Sequence, residues 1–422
     1  MGPPGARLKI LVVSNLYPPH IIGGYEALCC EVADGLQRRG HDVQVLTSTY
    51  GVDREITEGH VHRVLALEGD LQFYKVADAW SYPRRKKRNL EHLRRLVTLE
   101  RPDIVFVWGM WNLTKSLAQE AEALMGSRVV YYLANPWPIE PNLHQAYWDM
   151  PARSFARNIA KQVCRIPARL VLGAEWTREA LRFEHAPCCS KAQRDQLLDA
   201  GVPLRDAPVI SEGIDLAPYL AHAERRNHER RTAPLSLLYV GILAEHKGVH
   251  TAIEALGALP PQDLQRVHLT ILGQGHEQYE RRLRDLVAAR GLASRVSFQA
   301  PIPRAQLPDY LGSFDVLVLP SIWSEPLSRV MQEGLASGMV VIGSATGGTA
   351  ETIAHGRNGL LFPAGDAAAL AAQVQDVLAH GAACRELADA GVQTARERFD
   401  ITTMVSRIEA YLEQVDAAAR PR

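Results

Sequence analysis

No stretch of the sequence approaches the roughly 20 consecutive apolar residues that a membrane span requires. The N-terminal apolar run, Ile10 to Val13, is too short for the core of a secretory signal, so the expected compartment is the cytoplasm. Six cysteines stand as Cys29-Cys30, Cys164, Cys188-Cys189 and Cys384; none has Cys-x-x-Cys or zinc-ligand spacing, which predicts buried thiols and no metal centre. Charge of one sign is also missing: 47 Lys and Arg balance 47 Asp and Glu, so nothing global points to nucleic acid. There is no internal repeat and no low-complexity tract. Gly-x-Gly-x-x-Gly is absent, so an ordinary dinucleotide site is not indicated, and so is Asp-x-Asp, a metal handle for diphosphates.

What is present is a repeated alternation of strand and helix. At 422 residues the chain exceeds one ordinary core, and two α/β domains are expected. In the first half, continuous apolar runs predict strands at Leu8–Ser14, Asp42–Ser48, Asp103–Trp108 and Arg128–Leu133, with helices over Tyr25–Arg39 and Leu113–Met125. The rhythm restarts at Leu235–Val240 and continues through His268–Leu272, Val296–Phe298, Val316–Leu319 and Met339–Ile342. Runs of this kind between helices imply parallel sheets covered on both faces. Pro203–Pro234, with its four prolines and the charged run Glu224–Arg231, is the expected hinge. The domains are then residues 1–205, a linker at 206–234, and residues 235–401, followed by a final helix, Thr402–Val415, within the closing segment 402–422.

The richest segment runs from Ser324 to Asp366. Glu325 and Glu333 are separated by seven residues, and Pro326 suits the first turn of a helix continuing to Ala336. Eight helical residues rise roughly 12 Å, too far for two carboxylates to share a proton. They read better as two handles on a long hydroxyl-rich ligand, with the helix N-terminus at Pro326, Leu327 and Ser328 suited to a phosphate between them. Sugar, diphosphate and ribose in a line would fit. An amphipathic helix with solvated glutamates would give the same spacing.

This Glu-x7-Glu spacing, the Thr346-Gly347-Gly348-x-x-Glu351 turn and the Asn358-Gly359-Leu360-Leu361-Phe362-Pro363-x-Gly365-Asp366 ending resemble the donor-binding half of retaining glycosyltransferases of family 4. The resemblance implies a GT-B architecture: two Rossmann-like doubly wound domains facing across a cleft, the first binding acceptor and the second a nucleotide-sugar donor, with the terminal helix crossing back. It implies transfer of a hexosyl-type sugar to a hydroxyl of a glycan, lipid-linked or small-molecule acceptor, by a front-face route needing no metal or other cofactor. A binding protein of the same fold, an epimerase and a phosphorylase are the alternatives.

Residue by residue, the resemblance assigns Glu325 to the sugar hydroxyls, Glu333 to the ribose, and Lys247, in Gly241-Ile242-Leu243-Ala244-Glu245-His246-Lys247, to the diphosphate. Gly273 and the backbone around Gln299 become candidates on the base side. The loop Leu16 to Glu26 is similar to the family's glycine loop, through Gly23 and Gly24. Two departures stand out. Ile242 occupies a position that commonly holds arginine, leaving Arg329 or Lys191 as replacement cations. Ala134 falls where a histidine often stands, leaving His20, Asn135 and Trp137 as acceptor-side candidates. Ser211-Glu212-Gly213-Ile214-Asp215 resembles the family's junction segment.

Two basic features remain. Arg84-Arg85-Lys86-Lys87-Arg88 is read as the opening of a helix, with Arg94 and Arg95 further on. Arg153, Arg157, Lys161, Arg165 and Arg169 recur every four residues, with Phe155, Ile159, Val163 and Ile166 between them. The favoured expectation is a helix packed on the domain core; peripheral contact with an anionic membrane is the alternative. Pro167 argues against one continuous helix.

Overall fold

A computed structural model of the chain describes residues 7–71, 75–151, 154–173, 181–225 and 234–420. Residues 226–233 of the expected linker, the charged run beyond Arg225, and Arg153 lie outside the described residues. The chain divides into two compact units: Met1–Cys189 with Arg194–Ile210 and Val405–Arg422, and Ser190–Gln193 with Ser211–Met404.

The first unit is built on β1 (Lys9–Ser14), β2 (Asp42–Ser48), β3 (Ile56–Glu58), β4 (Val61–Leu65), β5 (Ile104–Gly109) and β6 (Val129–Tyr131), in the spatial order β3-β4-β2-β1-β5-β6. Central β1 pairs in parallel with β2 and β5, Val12 standing beside Val45 and Phe106. Every residue of β5 is buried, as an apolar strand covered on both faces requires. The sheet is not wholly parallel. β3 returns antiparallel to β4 across a turn at Gly59 (φ +61°), an edge hairpin too short and polar to show as an apolar run. The final helix, Ile401–Ala419, buries Val405, Ile408, Leu412 and Val415 at helical spacing. Val405 fits against the helix Gly24–Arg38 only because residue 35 is glycine; a Cβ there would lie 2.7 Å from its side chain. The helix Phe155–Leu172 packs Ala168 and Leu172 against Ala79, Tyr82 and Trp148 and leaves Phe155, Ile159, Val163, Ile166 and Leu170 exposed as a stripe. The expectation that this stripe packs on the domain core is thus overturned, and so is the break expected at Pro167, which lies inside the helix.

The second unit carries β7 (Leu235–Val240), β8 (Val267–Leu272), β9 (Val296–Gln299), β10 (Val316–Leu319), β11 (Val340–Ser344) and β12 (Leu360–Phe362), in the order β12-β11-β10-β7-β8-β9, all parallel. Leu237, Leu269, Ile271, Val316, Val318 and Ile342 form its core, each at most 2% exposed. At about 1.5–3 kcal/mol for each fully buried aliphatic side chain, this layer fixes strand order and register. The chain leaves β7 toward β8 and β9, then crosses to β10, β11 and β12, so the direction of winding reverses between β7 and β10. In such sheets ligands bind beyond the carboxyl ends of the strands at that reversal. The first sheet reverses in the same way between β1 and β5. Both are Rossmann-like sheets, as the expected architecture requires of each of its two domains.

Candidate functional site

The second unit's site grows from the reversal point. Beyond β7 and β8 the backbone passes Gly241 (φ +153°) and Gly273 (φ +155°), and a Cβ on Gly273 would lie 1.9 Å from the Gly241 carbonyl oxygen. Tyr239 steadies this turn, its hydroxyl donating to the Ile242 carbonyl at 2.8 Å. Burial, with the Glu325 charge adding to it, pushes that hydroxyl's pKa up, so it stays a donor. A 3₁₀ turn, Glu245–Lys247, follows and ends at Gly248 (φ +65°), where a Cβ would meet the Pro320 carbonyl oxygen at 1.9 Å. The Ile322 N–H donates to the His246 carbonyl at 2.9 Å. These contacts lock the turn after β7 against the segment after β10.

The result is the pairing of two candidates 78 residues apart in sequence. Lys247 Nζ lies 2.6 Å from Glu325 Oε1, the Ser321 hydroxyl donates to Glu325 Oε2 at 2.9 Å, and the ammonium lies 5.7 Å from the centre of the Trp323 ring. Both side chains keep about a fifth of their surface exposed (21% and 18%), so they remain within reach of a ligand. The Thr346-Gly347-Gly348 turn lies directly beneath. A Cβ on Gly347 or Gly348 would come within 2.2 Å of the Glu325 or Pro326 carbonyl oxygen, and the Gly348 N–H donates to the Glu325 carbonyl at 2.8 Å. The glycines of this motif support the Glu325 backbone by leaving room for it.

Glu333 is in a different environment. It is 2% exposed on the helix Arg329–Ala336, with the Arg304 guanidinium at 2.7 Å, Arg329 Nε at 3.7 Å and a hydrogen bond from the Tyr219 hydroxyl. Burial raises its pKa, and the two guanidinium groups and the hydroxyl offset this only in part. The helix begins two residues later than the sequence suggests. Ser328 is its N-cap, accepting from the Met331 N–H at 3.4 Å, so Pro326 and Leu327 belong to the preceding loop. The Pro326 carbonyl accepts from the Ser190 hydroxyl at 2.7 Å, and such lateral bonds hold that loop out of helical geometry. The rise expected for eight helical residues therefore does not apply between Glu325 and Glu333.

Other candidates fare unevenly. The backbone carbonyl of Gln299 is taken by the Gly273 N–H at 3.0 Å and its side-chain oxygen by the Tyr310 hydroxyl. Ile242 is 62% exposed. Arg329 lies beside Glu333, and the Lys191 N–H donates to Glu351 at 2.8 Å. Gly213 leaves room for Ile401, whose Cα a Cβ would approach to 2.7 Å, while Ile214 bridges to Asp400.

In the first unit, Gly23 precedes the helix Gly24–Arg38 and its N–H donates to Glu26 Oε2 at 3.0 Å. That helix N-terminus already has a buried carboxylate beside it, so an anion there competes with Glu26. His20 is half-buried, its ring against Gly51, where a Cβ would lie 2.2 Å from Nδ1. Asn135 is half-buried. Trp137 is 2% exposed, its indole packed among Tyr131 and Phe183 in the core of the unit. No sequence pattern points to Tyr25, whose hydroxyl lies 2.7 Å from the carbonyl oxygens of both Trp108 and Tyr132. Arg304, Ser321 and Tyr219 were equally silent, because no spacing rule links a strand-end serine or a distant arginine to a carboxylate.

The second unit is thus a doubly wound α/β sheet with a lysine–glutamate pair beyond its reversal point, and its family is shown by sequence likeness. The family model described as Glycosyl transferases group 1 matches residues 221–398, and the one described as Glycosyltransferase Family 4 matches residues 22–218. A protein named glycogen synthase from Mycobacterium tuberculosis is 31% identical over 421 residues, covering 94% of this chain and 93% of its own. The chain belongs to the group 1, family 4 glycosyltransferases. Among solved structures, sucrose-phosphate synthase from Thermosynechococcus elongatus superposes with a TM-score of 0.72 at 21% identity, over 98% of this chain and 100% of that one. HepE of Anabaena, crystallised with UDP, gives 0.67 at 20% identity, over 96% and 100%.

Proposed function

We propose that the chain transfers a hexosyl-type sugar from a nucleotide-diphosphate sugar to an acceptor hydroxyl with retention of configuration. The observation that carries this reading is the juxtaposition of Lys247, Glu325 and Ser321 at the reversal point of the second sheet. Lys247 stabilises charge as the bond between the sugar's anomeric carbon and the diphosphate oxygen breaks. The acceptor oxygen forms its bond to that carbon on the same face, and its proton passes to a diphosphate oxygen. No side chain needs to act as nucleophile, so preorganised electrostatics carry the rate. Glu325 receives the sugar hydroxyls and Glu333 the ribose hydroxyls, exchanging part of their present ion pairing for the ligand. The first unit serves the acceptor, a glycan, lipid-linked sugar or small molecule, with His20, Asn135 and Trp137 as its candidates, while the Gly23-Gly24 loop serves the donor. The six cysteines of the chain form no disulfide, and although Cys29, Cys188 and Cys189 are buried as expected, Cys164 is exposed; this usage suits a reducing cytoplasm. That a relative is named glycogen synthase and a structural neighbour was crystallised with UDP and glucose supports a UDP-glucose-like donor and a glycan acceptor.

The test is a thermal-shift panel of UDP-, GDP-, ADP- and dTDP-sugars, with Glu333→Ala as control. A donor at a hundred times its Kd adds about 2.7 kcal/mol of stability. One base family should shift the wild type and shift Glu333→Ala less. No shift with any donor would favour a scaffold that has lost donor binding, for which the apolar Ile242 is the sequence argument.

A further inference from the structure

The cations around the turn after β7 and around Glu333 already face carboxylates. Lys247 is set against Glu325, Arg304 and Arg329 stand at Glu333, and Arg282, from the helix Glu277–Ala289, holds Glu245 at 2.7 Å on the same turn as Lys247. The Lys247–Glu325 pair is therefore close to neutral as a unit, and the exposed Ile242 brings no charge to the start of the turn. A diphosphate esterified at both ends, as in a nucleotide sugar, carries two negative charges. If Lys247 gives up Glu325 for this ligand, one of those charges is still uncompensated, and in a site partly shielded from water that costs affinity. A second positive charge is missing from the turn in its free state.

His246 can supply it. It precedes Lys247 in the 3₁₀ turn, and its carbonyl accepts from the Ile322 N–H at 2.9 Å, so its backbone is fixed to the segment after β10. Its ring stands edge-on to Trp323 at 5.3 Å between centres, and the Lys247 ammonium lies 5.7 Å from the centre of that same indole. Packing thus holds imidazole and ammonium on one aromatic ring. Among the described residues neither ring nitrogen of His246 has a hydrogen-bond or ion-pair partner. His250, one turn on, differs: its Nδ1 lies 2.8 Å from the Tyr279 hydroxyl. An exposed imidazole held by packing, with both nitrogens uncommitted, suits a group that finds its partner in a ligand. The charges acting on it are Lys247, on its own turn, and Glu325, from the loop beyond β10. Partial burial and then the Lys247 charge lower its pKa from the usual 6.5, with Glu325 opposing, so the free protein holds it neutral at pH 7. We infer that His246 is the second cation of the diphosphate site: as a nucleotide-diphosphate sugar binds, the imidazole takes a proton from solvent and donates a hydrogen bond to a diphosphate oxygen that Lys247 does not hold. The inference rests on the proposed donor binding at Lys247 and adds that this binding is proton-linked.

The test is titration calorimetry of the full chain with UDP-glucose, GDP-mannose, ADP-glucose and dTDP-glucose, whose diphosphate diesters do not titrate near neutral pH. Wild type, His246→Gln and His246→Lys are compared at pH 6, 7 and 8, and in PIPES and Tris at pH 7.5 to count protons taken up. A group whose pKa rises in the complex supports affinity fully below its free value, and that support is lost as pH rises through the value in the complex. Wild-type affinity for the sugar that binds should therefore fall about tenfold from pH 6 to 8, relative to His246→Gln, with proton uptake seen as a heat that differs between the two buffers. Glu333 titrates in both proteins and cancels in that comparison. His246→Gln should bind throughout about as weakly as wild type does at pH 8, and His246→Lys, a fixed cation, should recover affinity without the pH dependence. The position is exposed, so circular dichroism should be unchanged in both variants. Donor binding with no proton uptake, or with the same pH dependence in His246→Gln, would overturn the inference and leave donor binding at Lys247 standing. No binding of any of the four sugars at any pH would overturn both.

Discussion

Each of the two glutamates of the Glu-x7-Glu pattern has its own electrostatic setting, and this decides what each can do. Glu325, in the loop beyond β10, keeps 18% of its side chain exposed and is shared between Lys247 and Ser321, so it remains within reach of a ligand. Replacing Lys247 by alanine should weaken donor binding by about 10- to 100-fold, the range for one charge-assisted hydrogen bond of about 1.5–3 kcal/mol; titration calorimetry with the donor found by thermal shift checks it. Glu333 is buried, and its raised pKa has a consequence for stability. A carboxyl whose native pKa is raised adds stability in its protonated form; that contribution is complete below its usual value near 4.5 and is lost as pH rises through the raised native value. Urea unfolding should therefore show wild type losing stability relative to Glu333→Gln as pH rises from about 4 to 7. Equal slopes would mean that Arg304 and Arg329 compensate the buried charge in full.

At the scale of elements, the site depends on where one helix starts and how one turn is braced. Ser328, not Pro326, caps the helix Arg329–Ala336, and Ser328→Ala should cost about 1 kcal/mol in thermal unfolding. Gly248→Ala should cost more, about 2 kcal/mol or above, because it combines a left-handed φ of +65° with a 1.9 Å approach to the Pro320 carbonyl. It should also lower donor affinity, since the displaced turn carries Lys247; a stable variant with wild-type affinity would break the link between turn and site. The strands β2, β7 and β10 were legible to the residue, β10 as a continuous apolar run and β2 and β7 as short runs rich in β-branched, aromatic and leucine residues between segments of helical period. The edge hairpin β3–β4 was not, its three-residue first strand, Ile-Thr-Glu, having no apolar run.

For the whole molecule, the last helix begins in one compact unit and ends in the other: Met404 belongs to the second and Val405 to the first. Within the first unit, Glu409 binds Arg39 at 2.5 Å and His41 at 2.8 Å, and the buried Val405, Ile408, Leu412 and Val415 complete the core. Deleting residues 405–422 should therefore remove several kcal/mol from the first unit, seen as an earlier transition in urea. Glu409→Ala should cost far less, about 1 kcal/mol or below, as its partner Arg39 is 42% exposed.

The sequence by itself determined the two-sheet α/β organisation and the family, and singled out Lys247, Glu325 and Glu333 as candidates, since all of these rest on local period and on motif order along the chain. Only the tertiary structure decided that Lys247 and Glu325 form an ion pair, that Glu333 is buried beside Arg304, that Trp137 is core, and that the stripe on Phe155–Leu172 faces outward. The reason is physical. A side chain's period along the chain fixes which face of its element it occupies, but which element covers that face, or leaves it open, is set by contacts between residues far apart in sequence.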